Sequence, residues 1–491
     1  MNIFFPVSRR LGRLSLWVAL TPVVALLLAL VAIIVFLGTD AISEWSPAAL
    51  LGSAFLACVL AWVCRSWHPR ALKGGLARSA RQILPAVPML VCIAMVATTW
   101  MLSGVVPTLI EYGLSVLNPT FFLVTTCVVC AVVSVLTGSS WSTIATIGVA
   151  FMGIGQVMGY SAGWVAGAII SGAYFGDKIS PLSDTTVVAS SAVGVDLFQH
   201  MRYLMFTSVP ALLVALMVYL IVGLTGDTHG GADSAELLRA LHTVFHTSAW
   251  TLVIPAFTLT MIVLRVPTLI TLALSAAAGF AGIFIFQPHL AFDLAGALAS
   301  LWRGHEVSTG DEALDALVST TGILGMIPTI ELVLSAMLFG AAMIGTGMLS
   351  RVTRSITSRL NRRTSIVGAT VGSGLFMNSC TADQYLSLIV TGNMYRNVYR
   401  RFGLEPRLLS RTIEDSVSVT SVLIPWNSCG VTQSTVLGVA TLVYFPFCIF
   451  NYMSPVMSII MAWTGFKIPP TGKEVRNEKG ERDCHFDKLS F

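Results

Sequence analysis

The chain has 491 residues, 55% apolar and 11% charged, with a mean hydropathy of +0.80. Soluble domains are about one quarter charged, so this composition excludes a soluble enzyme and points to an all-α polytopic membrane protein. The net charge of +5 does not indicate nucleic acid, because the bases lie in scattered blocks without interleaved aromatics.

At roughly 20 apolar residues per crossing, the chain can supply on the order of ten to thirteen spans, some of them shortened or interrupted. Arg9, Arg10 and Arg13 precede an apolar run, Leu16 to Leu37, which has no A-x-A-like site at its end and reads as a retained span. Pro47 to Trp62 returns the chain, Asp40 and Glu44 lie between the two, and the basic loop from Arg65 to Arg81 fits a cytoplasmic segment. Further spans are expected at 83–102, 121–136, 162–176, 203–222, 248–264, 268–286, 328–349, 417–425 joined to 430–446, and 447–465. Loops 225–247 and 287–320 carry acids with only Arg239 and Arg303 as bases, which places them outside; the blocks 351–363 and 396–411 and the tail after Lys467 belong inside. The stretch Thr364 to Tyr395 lies between those two arginine blocks and is too short for two full crossings at roughly 20 residues each. It is expected to be a re-entrant hairpin with a polar tip, Asn378-Ser379-Cys380-Thr381-Ala382-Asp383, lining a wet cavity or buried in protein.

The chemistry concentrates in GAYFGDKISPLSDTTVVASS, where a glycine-rich helix runs into Asp177, Lys178, Ser180, Pro181, Ser183, Asp184 and Thr185. In SRTIEDSVSVTSVLIPWNSCG, 238 positions later, Asp415, Ser418 and Ser421 fall in register with Asp177, Ser180 and Ser183, and the same offset carries Ser140 of the cluster Ser139-Ser140 onto Asn378. Duplicated halves with polar, Pro- or Gly-interrupted segments point to an inverted-repeat transporter with broken helices and a site near the midplane. Hydroxyls of Ser180, Ser183 and Thr185 with the carboxylates of Asp177 and Asp184 suit a hard cation such as Na+. Burial favours the protonated acid and a bound cation favours the carboxylate, so the two compete for one site, and alternating access turns competition into exchange. The structural alternative is an Asp177 to Lys178 ion pair. Glu414, Asp383 and Thr381 are further candidates from the second half, whereas Glu111 and Glu331 read as boundary or helix-end residues.

Other patterns carry less. Cys127 and Cys130 form a CxxC inside an apolar run, where thiols pack rather than bind metal. His242 and His246 have helical spacing without a carboxylate ligand beside them. The four-residue glycine spacings, Gly163 and Gly167, Gly172 and Gly176, Gly368 and Gly372, suggest close helix packing. Trp100, Trp141 and Trp426 read as core or interface aromatics.

The uninterrupted stretch Gly176 to Thr186 (GDKISPLSDTT), with WMLSGVVP from Trp100 to Pro107, Tyr112-Gly113, Ala382-Asp383-Gln384-Tyr385, Glu414-Asp415-Ser416, Ile424 to Asn427 and Cys429-Gly430, resembles the NhaC-type sodium/proton antiporters. Val417 and Val422 depart from the glycine and proline usual in that pattern. The resemblance implies an inverted-repeat fold with re-entrant hairpins, sodium movement coupled to protons, and a transport domain moving against a scaffold. Similar proteins also include malate/lactate exchangers and amino-acid carriers.

The resulting expectation is an antiporter of Na+ and H+, with Na+ at Asp177 and Asp184, and with Asp415, Ser418, Ser421, Asn378, Ser379 and Asn427 completing the site. The alternative is sodium- or proton-coupled exchange of a small organic anion or amino acid, its carboxylate held by Asn378, Ser379 and Asn427. An intramembrane aspartyl protease lacks the first glycine of its G-x-G-D element here, and a channel would show ohmic rather than saturable flux. No cofactor and no nucleic-acid partner is expected; the lipid bilayer and a second copy in a homodimer are. The expected organisation is N-terminal spans and a loop over 1–82, a first repeat over 83–222, connecting spans over 223–320, a second repeat over 321–465 and a tail over 466–491, multi-pass in the cell (inner) membrane with both termini cytoplasmic.

Overall fold

The computed structural model describes residues 14–468, apart from 39–40, 65, 67–68, 85, 226–238, 240, 265, 291, 308–314, 316–317, 358–359 and 361. The arginines at 9, 10 and 13, Asp40, Arg65, several loop acids and the tail past 468 lie outside the described residues. The first half runs α1 (Leu16–Leu37), α2 (Ala41–Val63), α3 (Pro69–Ile83), α4 (Ala86–Leu102), α5 (Val105–Val116), α6 (Phe122–Thr137), α7 (Ser140–Val157), α8 (Ala162–Ile179), α9 (Asp184–Val193) and α10 (Leu197–Thr225). The second half runs α11 (Val253–Val263), α12 (Thr268–Phe286), α13 (Leu294–Arg303), α14 (Ile327–Gly345), α15 (Met348–Thr357), α16 (Arg363–Thr381), α17 (Gln384–Arg401), α18 (Pro406–Ile413), α19 (Ser428–Leu437) and α20 (Ile449–Thr464). Among the described residues, seven helices are long and apolar enough to cross a membrane, or nine if each bent pair counts as one span. The chain is therefore a polytopic α-helical membrane protein.

Several expected boundaries are corrected. The span at 83–102 continues as a broken helix: α4 ends at Leu102, Gly104 adopts a left-handed φ of +79°, and α5 leaves at 67° to α4. Gln287 wedges into this kink, donating to the carbonyls of Ser103 (3.3 Å) and His246 (2.7 Å). The basic segment 65–81 is largely helix α3, seated on α14 where Gly75 meets the Ala341 carbonyl and Gly345 meets Leu72. Its high charge hid it from a hydropathy reading. Helix α7 was not expected at all, because its serines, threonines and glycines dilute its hydropathy. The span expected from 417 begins at Pro406, since α18 runs into a π-helical turn, Glu414–Ser418, in spite of Arg407 and Arg411.

The duplication is present, but its register is 244 and not 238. Left-handed residues mark it: Gly138 and Ala382, Gly159 and Gly403, Gly194 and Gly438 are each 244 apart. Helix N-caps follow the same offset, Ser139 with Asp383 and Ser183 with Asn427, as does Pro181 with Pro425. Hydrogen bonds repeat as well. Ser134 Oγ donates to the Ala173 carbonyl (2.6 Å), and its counterpart Asn378 Nδ2 donates to the Val417 carbonyl (2.7 Å). The partner of Ser140 is thus Gln384, and the partner of Asp177 is Ser421. Each repeat consists of a helical hairpin, α6–α7 or α16–α17, and a broken helix, α8–α9 or α18–α19. The second hairpin is antiparallel, with Thr381 bonded to Ser387 and Ser373 to Tyr395, and it turns at Ala382 and Asp383 inside the expected tip.

Two large apolar clusters support the repeats. One gathers α4, α6, α8 and α10; the other joins α1, α2 and α14 to the second hairpin. Gly163 and Gly167 let Phe447 approach, and Gly172 and Gly176 admit the backbone of α6 at Cys127 and Ala131, as their spacing suggested. Gly368 and Gly372 face open space, so the same spacing in α16 packs nothing.

Candidate functional site

The breaks in α8–α9 and α18–α19 exist because the sequence stops each helix with proline and restarts it with a polar cap. Helix α8 ends at Ile179, Pro181 follows, and Ser183 caps α9. Its counterpart passes through the π turn, reaches Pro425, and restarts where Asn427 accepts from the Cys429 amide at 3.1 Å. Hairpin tips meet these breaks. The Gly138 turn abuts Leu182, and the Ala382 carbonyl accepts from the Ser428 amide at 2.8 Å.

Asp177, in the last turn of α8, is buried and accepts from Ser140 Oγ at 2.7 Å. The Ser183 hydroxyl faces the same carboxylate and shares a 2.9 Å hydrogen bond with Thr185 Oγ1. Thr185 in turn donates to Glu414 Oε1 across the repeats at 3.1 Å. Ser418, one turn along the π segment, lies beside the same Glu414 carboxyl, which is fully buried. Among the described residues, Glu414 Oε2 has no hydrogen-bond partner and neither Asp177 nor Glu414 forms an ion pair. Two buried acids are thus linked through Ser183 and Thr185.

Asp415 is a different kind of acid. It pairs with Lys178 and accepts from Ser454 (3.0 Å), Thr207 (3.1 Å) and Ser458, while the Arg411 Nε stands 3.9 Å away. Lys178 therefore bridges to the opposite repeat instead of pairing with its neighbour Asp177. Its ammonium also donates to Ser454 (2.6 Å) and sits 5.6 Å above the Phe450 ring.

The remaining expected site residues separate by what they touch. Asp184 is exposed in the first turn of α9, within electrostatic range of the buried Asp177. Ser139 and Asp383 cap helices, accepting from the amides of Ser142 (3.2 Å) and Leu386 (2.7 Å), and Thr381 closes the hairpin turn on the Asp383 carbonyl (3.0 Å). Ser180 donates to the Val135 carbonyl (2.8 Å), and Ser379 donates to Leu375 (3.1 Å). Ser421 donates to Gln384 Oε1 (3.2 Å), which repeats in neutral form the Ser140 to Asp177 contact. Asn427 Nδ2 donates to the Asn378 carbonyl at 3.1 Å.

The unwound second-half backbone is tied off. Carbonyls of Ser416, Val417, Ser418, Val419 and Val422 accept from Thr420, Asn378, Ser421, Asn451 and Tyr444, respectively. Among the described residues, Glu414 Oε2, Asn378 Oδ1 and Asn451 Oδ1 are buried oxygens with no hydrogen-bond partner. Sequence reasoning missed Asn451 and Tyr444, and placed Gln384 and Tyr385 only within a motif, although Tyr385 stands within electrostatic range of Asp177 and Asp184. The 244 register alone would have signalled Gln384, as the counterpart of Ser140.

The family model for the Na+/H+ antiporter family matches residues 5–204 and 172–466. The NhaC Na+/H+ antiporter of Alkalihalophilus pseudofirmus is 36% identical over 394 residues, covering 80% of this chain and 84% of that protein. The malate-2H+/Na+-lactate antiporter of Bacillus subtilis is 32% identical over 419 residues, covering 85% and 89%. The arginine/ornithine antiporter ArcD of Halobacterium salinarum is 33% identical over 457 residues, covering 92% of each.

Proposed function

We propose that this chain, which belongs to the Na+/H+ antiporter family, exchanges Na+ for H+ across the cell membrane at a site built on Asp177 and Glu414. The observation that carries this reading is a charge imbalance. Among the described residues, the cluster joined by hydroxyls and ion pairs holds the acids Asp177, Glu414 and Asp415 against the bases Lys178 and Arg411, while the other buried acid, Asp383, caps α17 outside it. One negative charge is left over in a medium where an unpaired charge costs several kcal/mol, about 2.5–3.5 on an insertion scale. One proton or one monovalent cation neutralises it, and the two together would overshoot. Competition is therefore built into the site, and alternating access between repeats of opposite orientation converts it into exchange.

Each group then has a task. Asp177 and Glu414 carry the proton or face the Na+; Ser140, Ser183, Thr185 and Ser418 supply hydroxyl oxygens that replace its hydration shell. Asp415 is the fixed counter-ion of Lys178 rather than a ligand. Asp184, exposed at the start of α9, lies on the approach. The family and the long apolar helices support a multi-pass protein of the cell (inner) membrane, with both termini cytoplasmic by the arginine distribution.

A second reading, exchange of a small organic anion or amino acid, is supported by the names of two relatives. The amides of Asn378 and Asn427, which it would use to hold a carboxylate, already donate within the protein. Proteoliposomes loaded with a pH indicator and given a sodium gradient, with no organic solute present, separate the two readings. We expect saturable, sodium-driven proton movement that is lost in Asp177→Asn and in Glu414→Gln. Strict dependence on an organic carboxylate or amine, or full exchange by either variant, overturns the assignment.

A further inference from the structure

Away from the buried acids, a cavity of about 510 Å³ opens where α10, α18 and the turn after α20 meet, lined by Tyr203, Phe206, Arg407, Gly465, Lys467 and Ile468. The Tyr203 hydroxyl donates to the Lys467 carbonyl at 2.8 Å, which fixes the turn, and Lys467 itself takes a left-handed φ of +53°. Cations crowd this small space. The guanidinium groups of Arg407 and Arg411 lie 5.1 and 4.5 Å from the Tyr203 ring centre, and the Lys467 ammonium lies 5.5 Å from that of Phe206. Arg363 is anchored by donating to the Ala462 carbonyl at 2.9 Å, and its guanidinium abuts Gly465 so closely that a Cβ there would meet it at 2.9 Å.

Against Arg363, Arg407 and Lys467, the one carboxylate bonded to any of them among the described residues is Glu405, paired with Arg407. Behind Tyr203, the fully buried Arg411 keeps Nε and Nη2 without a hydrogen-bond partner. The neighbouring surface is apolar: Phe466 packs edge-on against Phe206 and is 54% exposed, and Trp463 is 75% exposed. Arg363 and Arg407 belong to the two arginine blocks, so this is the end of the molecule at which a basic protein meets lipid headgroups.

We propose that this cavity binds the phosphate-bearing headgroup of an anionic phospholipid. The Arg407 fork and the Lys467 ammonium match phosphate oxygens, Tyr203 backs the cations, and Phe206, Ile468 and Phe466 meet the glycerol end of the acyl chains. A zwitterionic lipid brings its own ammonium and gains less from this charge. Arg411, behind Tyr203, also faces Asp415, but the cavity is lined by neither Asp177 nor Glu414, so the proposal does not depend on the exchange reading.

The test uses the full chain in detergent, with phosphatidylglycerol, phosphatidylcholine and inorganic phosphate as probes and bound lipid counted by native mass spectrometry. Phosphatidylglycerol is expected to bind in preference to phosphatidylcholine. Removal of two cations in Arg407→Gln/Lys467→Gln should weaken it about thirtyfold, at roughly one kcal/mol per basic group. Glu405→Gln, which frees Arg407, should tighten binding, and that arm decides if the double variant does not accumulate. Equal binding of the two lipids, unchanged binding by the double variant, weaker or unchanged binding by Glu405→Gln, or displacement of lipid by millimolar inorganic phosphate overturns the proposal.

Discussion

Thr185 joins the two repeats through one hydroxyl, donating to Glu414 while sharing a hydrogen bond with Ser183. A hydrogen bond to a charged group contributes about 1.5–3 kcal/mol, so Thr185→Val should raise the half-saturating sodium concentration by roughly ten- to a hundredfold, whereas Thr185→Ser should stay near the unaltered value. Sodium-dependent proton flux checks both. Protonation removes the carboxylate that a cation needs, so sodium affinity must fall as pH falls, by about tenfold per unit where a single proton competes. The maximal rate should hold. Sodium titrations across alkaline to neutral pH that gave a flat affinity would sink the shared site. The sequence made Asp177 legible because an acid at the end of an apolar run demands a partner, and Glu414 was a further candidate because it abuts the repeated motif. Which acid is neutralised was not legible, since Lys178 is adjacent to Asp177 in sequence but reaches Asp415 across the repeats.

Glycine spacing looks the same in α8 and α16, but only α8 is packed through it. A Cβ at Gly176 would stand 2.3 Å from the Ala131 carbonyl, and one at Gly172 would stand 2.1 Å from the Cys127 carbonyl. Backbone cannot yield as a side chain can, so Gly176→Ala should cost about 1–3 kcal/mol. Gly368→Ala and Gly372→Ala meet nothing within 4 Å and should be neutral or gain up to about 1 kcal/mol from helix propensity. Apparent thermal midpoints in detergent distinguish the two pairs; a stabilised Gly176→Ala would contradict the packing of α6 on α8. Ala382 holds a left-handed φ of +55° where the first repeat has Gly138, so Ala382→Gly should relieve local strain. At this scale hydropathy located the apolar helices and failed on α3, α7 and α18, whose charged and hydroxyl residues dilute the window average.

For the whole molecule, Lys178 and Asp415 form the charged link between the halves, and both are buried. Removing one partner strands the other, so Lys178→Met should destabilise the fold by about 3–5 kcal/mol. Lys178→Met/Asp415→Asn removes both charges and leaves the single negative excess intact. It should recover folded, monodisperse protein and measurable sodium-driven exchange. A double variant as unstable as the single one would show that the pair does not act as a unit.

Composition and apolar run length by themselves determined a polytopic helical membrane protein, because water rejects such a chain and lipid accepts little except helix. They also exposed the motif, the duplication and the acids, since polar groups in hydrocarbon stand out against their surroundings. Register was left to the tertiary structure. Aspartates and serines recur by chance at 238, whereas left-handed turns, caps and proline breaks are dictated by backbone geometry and recur at 244. Charge balance was decided there too, because the effective charge of a buried carboxylate depends on which base folding brings to it, and no linear spacing records that distance.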